Sequence, residues 1–325
     1  MIHRGLKHLV LAGSLSWLVG CTGLSSQAIK PALNLPSTTE LTDVAFFPQE
    51  QYQCGPAALA TALDYRGEKL TPALLTPQVY LPGREGSLQL ELVSATRRAG
   101  KVAYPLQPQL SALLKEVAAG NPVLVLQNLG LDILPQWHYA VVVGYDLNTQ
   151  HLILRSGTEK RRLTDIETFR NTWRRGKNWA LVVTNPDQLP ATVEPGRWLK
   201  ASYELSNTAM ADAAVAFDTA VKRWPAQSQF WMASGNVRYS LKDYDTASQR
   251  FQQGLKLHPE DGALWNNYAY SLKAQGCNDA ALQAARCAVK NGSEAGQYSD
   301  TLDEMSGGQK TMFTSADNCP IVRCE

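Results

Sequence analysis

A spacing of 34 residues recurs through the second half of this 325-residue chain. The repeated positions hold a small residue, an aromatic or small residue, a second small residue and a helix-ending residue. The three sets, of which the middle one is the clearest, are Ala213, Phe217, Ala220 and Pro225; Ala247, Phe251, Gly254 and Pro259; and Ala281, Ala285, Ala288 and Ser293. Trp231 and Trp265 are also 34 residues apart, and Trp198 is one residue out of register. A fixed period of this length indicates stacked repeat units.

The repeated pattern resembles the tetratricopeptide repeat. In that family small residues let two antiparallel helices approach, an aromatic side chain fills the groove, and proline ends the second helix. About three repeats are expected over 194–295, which is close to the minimum for a stable stack. The resemblance implies an all-α solenoid whose concave surface binds a protein partner. A dimerisation module or a purely structural role is the alternative.

The N-terminus has the layout of a secretory signal. Arg4 and Lys7 precede an apolar run over 9–19, which is shorter than the ~20 residues that a membrane-spanning helix needs. The run ends in Leu-Val-Gly followed by Cys21, which resembles the bacterial lipobox. Residues 1–20 are therefore predicted to be a lipoprotein signal peptide and Cys21 the lipid-attachment residue; an ordinary signal with a chance cysteine is the alternative. Thr22, which is not aspartate, favours the periplasmic face of the outer membrane, and residues 21–42 are predicted to be a tether.

The charge and the composition exclude other classes of protein. Lys and Arg together number 31 and Asp and Glu 29, a formal net charge of +2, so nothing in the charge predicts a nucleic-acid partner. Hydrophobic residues make up 44 % of the chain, which suits a globular protein and argues against disorder.

The six cysteines give a further prediction, which depends on the compartment of the protein. Four lie in the last fifty residues: Cys277, Cys287, Cys319 and Cys324. In an oxidising periplasm they are expected to form two disulfides, for which three pairings are possible. In one arrangement the first two join the last two and staple the tail, 296–325, over the end of the solenoid; in the alternative each pair closes locally. The sequence contains no tight Cys/His cluster, so no metal and no other cofactor is predicted.

Cys54 then remains without a disulfide partner. Pro56 and the Ala/Leu-rich run after it predict a helix that begins at or just after Cys54, because proline fits the first helical turn. The positive end of the helix dipole favours a thiolate over a thiol. Cys54 is therefore a candidate nucleophile, and a buried inert thiol is the alternative.

The candidate base lies in a predicted hairpin. Pro122–Gln127 and Gln136–Asp146 read as strands, and His151–Leu154 returns the chain after a turn. His138 lies near the start of the second strand, where side chains are accessible. An exposed strand residue without a catalytic role is the alternative.

These segments resemble the papain-like cysteine peptidases, in the branch of the bacteriocin-leader (double-glycine) peptidases. The shared features are a glutamine before Cys54-Gly-Pro-Ala-Ala-Leu and, about eighty residues later, His138-Tyr-Ala-Val-Val-Val-Gly-Tyr-Asp. The resemblance covers 43–185 and implies an α+β papain-like domain. It also implies that Cys54 is the nucleophile, that His138 takes and returns its proton, and that Gln49 is the oxyanion donor. Gln49 stands five residues before the cysteine instead of the usual six, and Gln51 and Gln53 are rivals.

The catalytic triad of this family has a third member beside the cysteine and the histidine, and this chain departs from the family at that position. An aspartate usually ends the next strand, often before proline, where this chain has Ser156 and Gly157. Asp146 lies eight residues along the strand from His138, about 26 Å at ~3.3 Å per residue, which is too far. Ser156 or Glu159 is expected near the imidazole, and Ser156 is taken as the orienting residue. A serine orients the ring without stabilising an imidazolium by charge.

The sequence thus predicts an α+β papain-like cysteine peptidase domain followed by an all-α tetratricopeptide-repeat solenoid. The protein is expected to be lipid-anchored and to cleave a peptide or protein substrate, or to transfer its acyl group. A catalytically weak or inactive adaptor and a cell-wall amidopeptidase are the alternatives. The turn-rich stretch 81–87 is predicted to be an ordinary surface connection; a border of the cleft is its alternative.

Overall fold

The computed structural model describes residues 34–49, 53–294, 296–307 and 319–324. The predicted signal peptide, Cys21, most of the predicted tether and Gln51 lie outside these residues. None of the helices described is long and apolar enough to cross a membrane.

The first half of the described chain is built on an antiparallel sheet. Its strands are β1 (Thr38–Glu40), β2 (Val102–Pro105), β3 (Val123–Asn128), β4 (Trp137–Asp146), β5 (His151–Ser156), β6 (Glu159–Asp165) and β7 (Ala180–Thr184). In the described residues the strand order is β2-β7-β3-β4-β5-β6, and β1 pairs with the last residues of β4. β3 and β7 are buried along their whole length, which explains why they read as continuous apolar runs.

Helices cover both faces of this sheet. They are α1 (Cys54–Asp64), α2 (Pro72–Val79), α3 (Gln89–Arg98), α4 (Leu110–Ala118) and α5 (Ile166–Arg175). Alternate strand residues enter opposite hydrophobic clusters, as the two-residue period of a strand requires. Leu124 and Tyr139 belong to the cluster that includes α1 to α3, whereas Val125 and Ala140 belong to the one that includes α4 and α5.

The second half is helical and periodic. Its helices are α6 (Pro195–Ser206), α7 (Met210–Arg223), α8 (Ser228–Ser240), α9 (Tyr244–Leu257), α10 (Gly262–Ala274), α11 (Asn278–Lys290) and α12 (Ser299–Gly307). The starts of α7, α9 and α11 are 34 residues apart, as are those of α8 and α10. An α+β region followed by an all-α region is therefore confirmed. The indole N–H groups of Trp231 and Trp265 repeat one contact, donating to the carbonyls of Pro225 and Pro259 at 2.8 and 2.7 Å.

Close helix packing explains the small residues of the 34-residue pattern. Ala213, Ala247 and Ala281 are fully buried. A Cβ at Gly254 would lie 2.7 Å from the Cβ of Trp231, closer than packed carbon atoms approach. The small residue at this position therefore lets α9 lie against α8.

Three parts of the chain refine the predicted organisation. Thr38–Glu40 form β1 and pair with 144–146, so the predicted tether, 21–42, is wrong for these residues: pairing with β4 gives them ordered hydrogen bonds. Helix α12 lies inside the segment expected to be a tail, 296–325. The disulfides join Cys277 to Cys319 and Cys287 to Cys324, which confirms the stapled-tail alternative.

Candidate active site

Cys54 is the first residue of α1, as the sequence predicted. Gln53 occupies the N-cap without a side-chain capping bond, and Gly55 and Pro56 are buried in the first turn. Cys54 itself is half-buried and is the free thiol among the described cysteines. The helix therefore holds the thiol at its positive end, against the sheet.

The protonation state of Cys54 differs from the prediction. Burial raises the pKa of the Cys54 thiol above its usual value, although backbone hydrogen bonds at Tyr139, Gly55 and Cys54 itself lower it in part. The helix terminus therefore does not by itself give a thiolate at neutral pH, because the cost of burying a charge is larger. The expectation of a thiolate stabilised by the dipole is wrong for the resting site.

His138 is held by the residue that the sequence singled out. The Nε2 atom of His138 lies 2.8 Å from Oγ of Ser156. The residues of β4 and β5 pair antiparallel, with Val142 opposite Leu154, so Ser156 is the diagonal neighbour of His138 across the two strands. The hydrogen bond fixes the plane of the imidazole and leaves Nδ1 as its second ring nitrogen.

The imidazole of His138 is neutral at physiological pH. Burial, and after it the positive charge of Arg162, lower its pKa to about 4. Glu159, the alternative to Ser156, forms an exposed ion pair with Arg162 instead, at 3.3 Å. The described site therefore offers His138 an orienting hydroxyl and no carboxylate bonded to the ring.

Gln49 is anchored beside both strands of the hairpin. Its backbone N–H donates to the carbonyl of Gly157 at 3.0 Å, and its side-chain amide donates to the carbonyl of Tyr139 at 3.3 Å. The amide has a second hydrogen, which this bond does not use. Of the two rivals, Gln53 caps α1 and Gln51 lies outside the described residues.

The predicted residues meet at one cavity. Gln49, Cys54 and His138 line a space of about 1000 Å³. No hydrogen bond joins the thiol to the imidazole among the described residues. A catalytic hydrogen bond is often long before substrate binds. The geometry thus brings the three candidate residues to one cavity, and their catalytic roles stay predictions.

Tyr139 is the residue that the sequence reasoning missed. Its backbone contacts the Cys54 thiol and the Gln49 amide, and its hydroxyl donates to the carbonyl of Ser87 at 3.2 Å. The sequence did contain a signal, which is the position of Tyr139 directly after His138 in a strand. Because neighbouring strand residues point to opposite faces, its side chain is expected on the face opposite that of His138. Tyr139 links α1, the Gln49 segment and the loop that covers them.

That covering loop corrects the interpretation of 81–87 as an ordinary surface connection. Residues 84–89 line the cavity. The Oγ atom of Ser87 would lie 2.3 Å from a Cβ at position 55, so Gly55 is required for the loop to close over the start of α1. No group of three His, Cys, Asp or Glu side chains that could hold a metal occurs in the described part of the chain.

Comparisons with known proteins match part of the chain. No curated protein matches the chain. Two solved structures resemble it at low identity. A C39-like peptidase from Bacillus anthracis is 18 % identical, covering 45 % of this chain and 97 % of that one, with a TM-score of 0.39. The peptidase domain of Streptococcus ComA, a bi-functional ABC transporter of a quorum-sensing pathway, is 22 % identical, covering 43 % and 98 %, with a TM-score of 0.37. Residues 41–181, which contain every candidate catalytic residue, match the model of the Peptidase_C39 like family.

Proposed function

We propose that this protein is a cysteine peptidase in which Cys54 is the nucleophile and His138 the general base. The observation that carries the proposal is the cavity itself: Cys54 lines it beside a histidine whose Nε2 is held 2.8 Å from Ser156. The family match over 41–181 supports the same activity. The substrate is a peptide or a protein.

One proton moves through His138 in each half of the reaction. The Cys54 sulfur attacks the scissile carbonyl carbon while its proton passes to the free Nδ1 of His138. The tetrahedral intermediate then collapses, and the leaving amine takes that proton from the imidazolium. His138 next removes a proton from water as the water oxygen attacks the thioester carbon, and the imidazolium returns that proton to the Cys54 sulfur when the acyl group leaves. An amine in place of water would give acyl transfer by the same steps.

Gln49 and the start of α1 stabilise the negative charge that develops on the carbonyl oxygen. The Cys54 backbone N–H and the unused hydrogen of the Gln49 amide are the proposed donors. Loss of one such donor typically costs ~3 kcal/mol of transition-state stabilisation. The two anchoring bonds of Gln49, at 3.0 and 3.3 Å, hold the donor before substrate arrives.

Labelling with a thiol-reactive peptide probe tests the catalytic pair. The wild-type protein should be labelled at neutral pH, Cys54→Ala not at all, and His138→Ala far more slowly. His151→Gln is the matched control, because His151 lies in the same sheet outside the cavity. Equal labelling rates for wild type and His138→Ala would contradict the pair.

A peptidase-like adaptor is the second candidate function. It is favoured by Ser156, which supplies no charge to His138, and by the burial that disfavours both charged forms of the pair. An adaptor should capture the same proteins when Cys54 is replaced by alanine, and should leave them uncleaved. Cleavage of a captured protein that depends on Cys54 would exclude this candidate.

The proposal extends to the rest of the chain. The lipobox-like sequence supports a lipid anchor at Cys21 on the periplasmic face of the outer membrane. The 34-residue spacing of helix starts supports a tetratricopeptide-type array that binds a protein partner. Mass spectrometry of the membrane-bound protein should find acylated Cys21, and Cys21→Ser should release the protein from the membrane. A Cys21→Ser protein that stays membrane-bound would contradict the anchor.

A further inference from the structure

Large apolar side chains stand exposed at the rim of the candidate active site. They belong to the β3–β4 loop, residues 129–136, called here the apolar loop. Leu131, Ile133 and Leu134 are 66 %, 91 % and 70 % exposed, and Trp137, which follows the loop, is also exposed. Adjacent apolar side chains in water are unfavourable, and a contiguous patch of them marks an interaction surface.

The apolar loop is ordered by Asn128. The buried Oδ1 of Asn128 accepts hydrogen bonds from the backbone N–H groups of Gly130 at 3.0 Å and Gln136 at 2.8 Å. The loop is closed further by the N–H of Leu129, which donates to the carbonyl of Gln136 at 2.9 Å. Because these bonds satisfy the backbone of the loop ends, the exposed side chains belong to a preformed element rather than to a frayed connection.

The apolar loop is continuous with the catalytic cavity. Pro135 and Gln136, which belong to the loop, line the cavity. Trp137 and His138, which follow the loop, line it too. A polypeptide bound with its scissile bond at Cys54 would therefore reach the loop within a few residues. Continuity with the cavity favours substrate over any unrelated partner as the occupant.

Charge and position disfavour a membrane as the occupant. The stretch from 128 to 137 contains no Lys or Arg, and its one charged residue is Asp132, near the tip. Loops and helices that bind anionic bilayers combine apolar side chains with basic ones. The N-terminal segment enters the sheet at β1, beside 144–146. That is the opposite end of β4 from Trp137, about 30 Å away at ~3.3 Å per residue.

We infer that the apolar loop is a specificity element that binds large aliphatic or aromatic side chains of the substrate, on one side of the scissile bond. This inference rests on the proposed peptidase function and adds the substrate class: polypeptides with an apolar segment next to the cleaved bond. Ile133, the most exposed of the large side chains, gains most when the substrate covers it.

Binding to a catalytically inactive protein tests the inference without requiring cleavage. The full chain carrying Cys54→Ala is titrated with two fluorescent peptides that share a Gly/Ser framework, one with Leu at alternate positions and one with Ser there. The Leu peptide should bind at least about tenfold more tightly, since burial of one large apolar side chain favours binding by roughly that factor or more. Adding Ile133→Ser should remove this preference. Leu257→Ser, which removes a side chain that is 52 % exposed on α9, should keep it.

Other outcomes would overturn the inference. Equal affinities for the two peptides would do so, as would a preference for Leu that survives Ile133→Ser. A Cys21→Ser, Cys54→Ala protein that binds phosphatidylethanolamine–phosphatidylglycerol vesicles, and loses this binding with Ile133→Ser, would identify a lipid surface instead. Self-association lost with Ile133→Ser would identify a second copy. Selective Leu-peptide binding with no cleavage when Cys54 is intact would contradict the proposed function and leave the loop's selectivity standing.

Discussion

At the scale of single residues, Ser156 orients the imidazole of His138 without supplying a charge to it. Its hydroxyl orients His138 at 2.8 Å, yet it cannot neutralise an imidazolium, which burial and Arg162 both disfavour. Burial likewise disfavours the Cys54 thiolate. In the resting site the thiol and the imidazole are therefore both neutral, and the mechanism proposed above requires the proton to move during attack on the substrate.

The first prediction concerns the ultraviolet absorbance of the thiolate. Because burial raises the thiol pKa, the difference spectrum between wild type and Cys54→Ala should lack a thiolate band at pH 7, and the band should appear only at a pH above the usual pKa of a cysteine thiol. The imidazole, with a pKa of about 4, is already neutral throughout this range and adds no step. A thiolate band that rises near pH 4 and is complete by pH 7 would instead mean a preformed thiolate–imidazolium pair.

The second prediction is a gain of reactivity in Ser156→Asp. A carboxylate within about 4–6 Å typically raises the pKa of a histidine by roughly 1–3 units. The rate of Cys54 alkylation by iodoacetamide at pH 7 should therefore rise by about tenfold or more. Ser156→Asn is the matched control, because it keeps a hydrogen-bonding group without charge and should give no such gain. Circular dichroism should show that both variants are folded. Equal rates of Cys54 alkylation in the Asp and Asn variants would then contradict the idea that the site lacks a negative charge beside His138.

The sequence identifies these side chains better than it predicts their charge. Linear motifs and strand register were enough to select Gln49, Cys54, His138 and Ser156. The pKa of Cys54 could not be predicted in this way, because it depends on how deeply the fold buries the thiol. Part of the cavity that holds the thiol is lined by the loop 84–89. Tyr139 was missed because its contacts to Cys54 and Gln49 are made by its backbone, which the residue type does not reveal.

At the scale of elements, close helix contacts explain why certain positions in the array are glycine. A Cβ at Gly235 in α8 would lie 2.3 Å from the ring of Phe251 in α9, whereas a Cβ at Gly196 in α6 would meet nothing within 4 Å. The 34-residue pattern includes one such glycine, Gly254, but it does not include Gly235. It did not predict β1, because three residues become a strand only through pairing with β4.

The third prediction compares these two glycines. Gly235→Ala should lower the free energy of unfolding by about 1–3 kcal/mol, because the added methyl overpacks the helix interface. Gly196→Ala should leave it unchanged or raise it by up to ~1 kcal/mol, since alanine favours a helix. Urea unfolding followed by circular dichroism measures both changes. Equal stabilities of the two variants would contradict the close approach of α8 and α9.

At the scale of the whole molecule, the sheet and the helical array share one hydrophobic cluster. Trp198 of α6 is fully buried and lies 6.5 Å, between ring centroids, from Tyr104 of β2. The buried carboxylate of Glu116 in α4 accepts hydrogen bonds from the backbone N–H groups of Ala191 at 3.1 Å and Thr192 at 2.7 Å. Glu116 therefore holds in place the segment that leads from β7 to the helical array. We expect the sheet region and the helical array to unfold together.

The fourth prediction tests this coupling with Glu116→Gln. The amide nitrogen of glutamine would face backbone N–H donors that now donate to a carboxylate oxygen, so the free energy of unfolding should fall by roughly 2–4 kcal/mol. Glu167→Gln, which removes half of an exposed ion pair with Arg170, should change it by less than ~1 kcal/mol. Near-ultraviolet circular dichroism and helical signal should shift together in Glu116→Gln, because a shared core transmits the loss to both halves. Two separate transitions in the wild-type protein would mean that the halves are independent and that Glu116 stabilises only one of them.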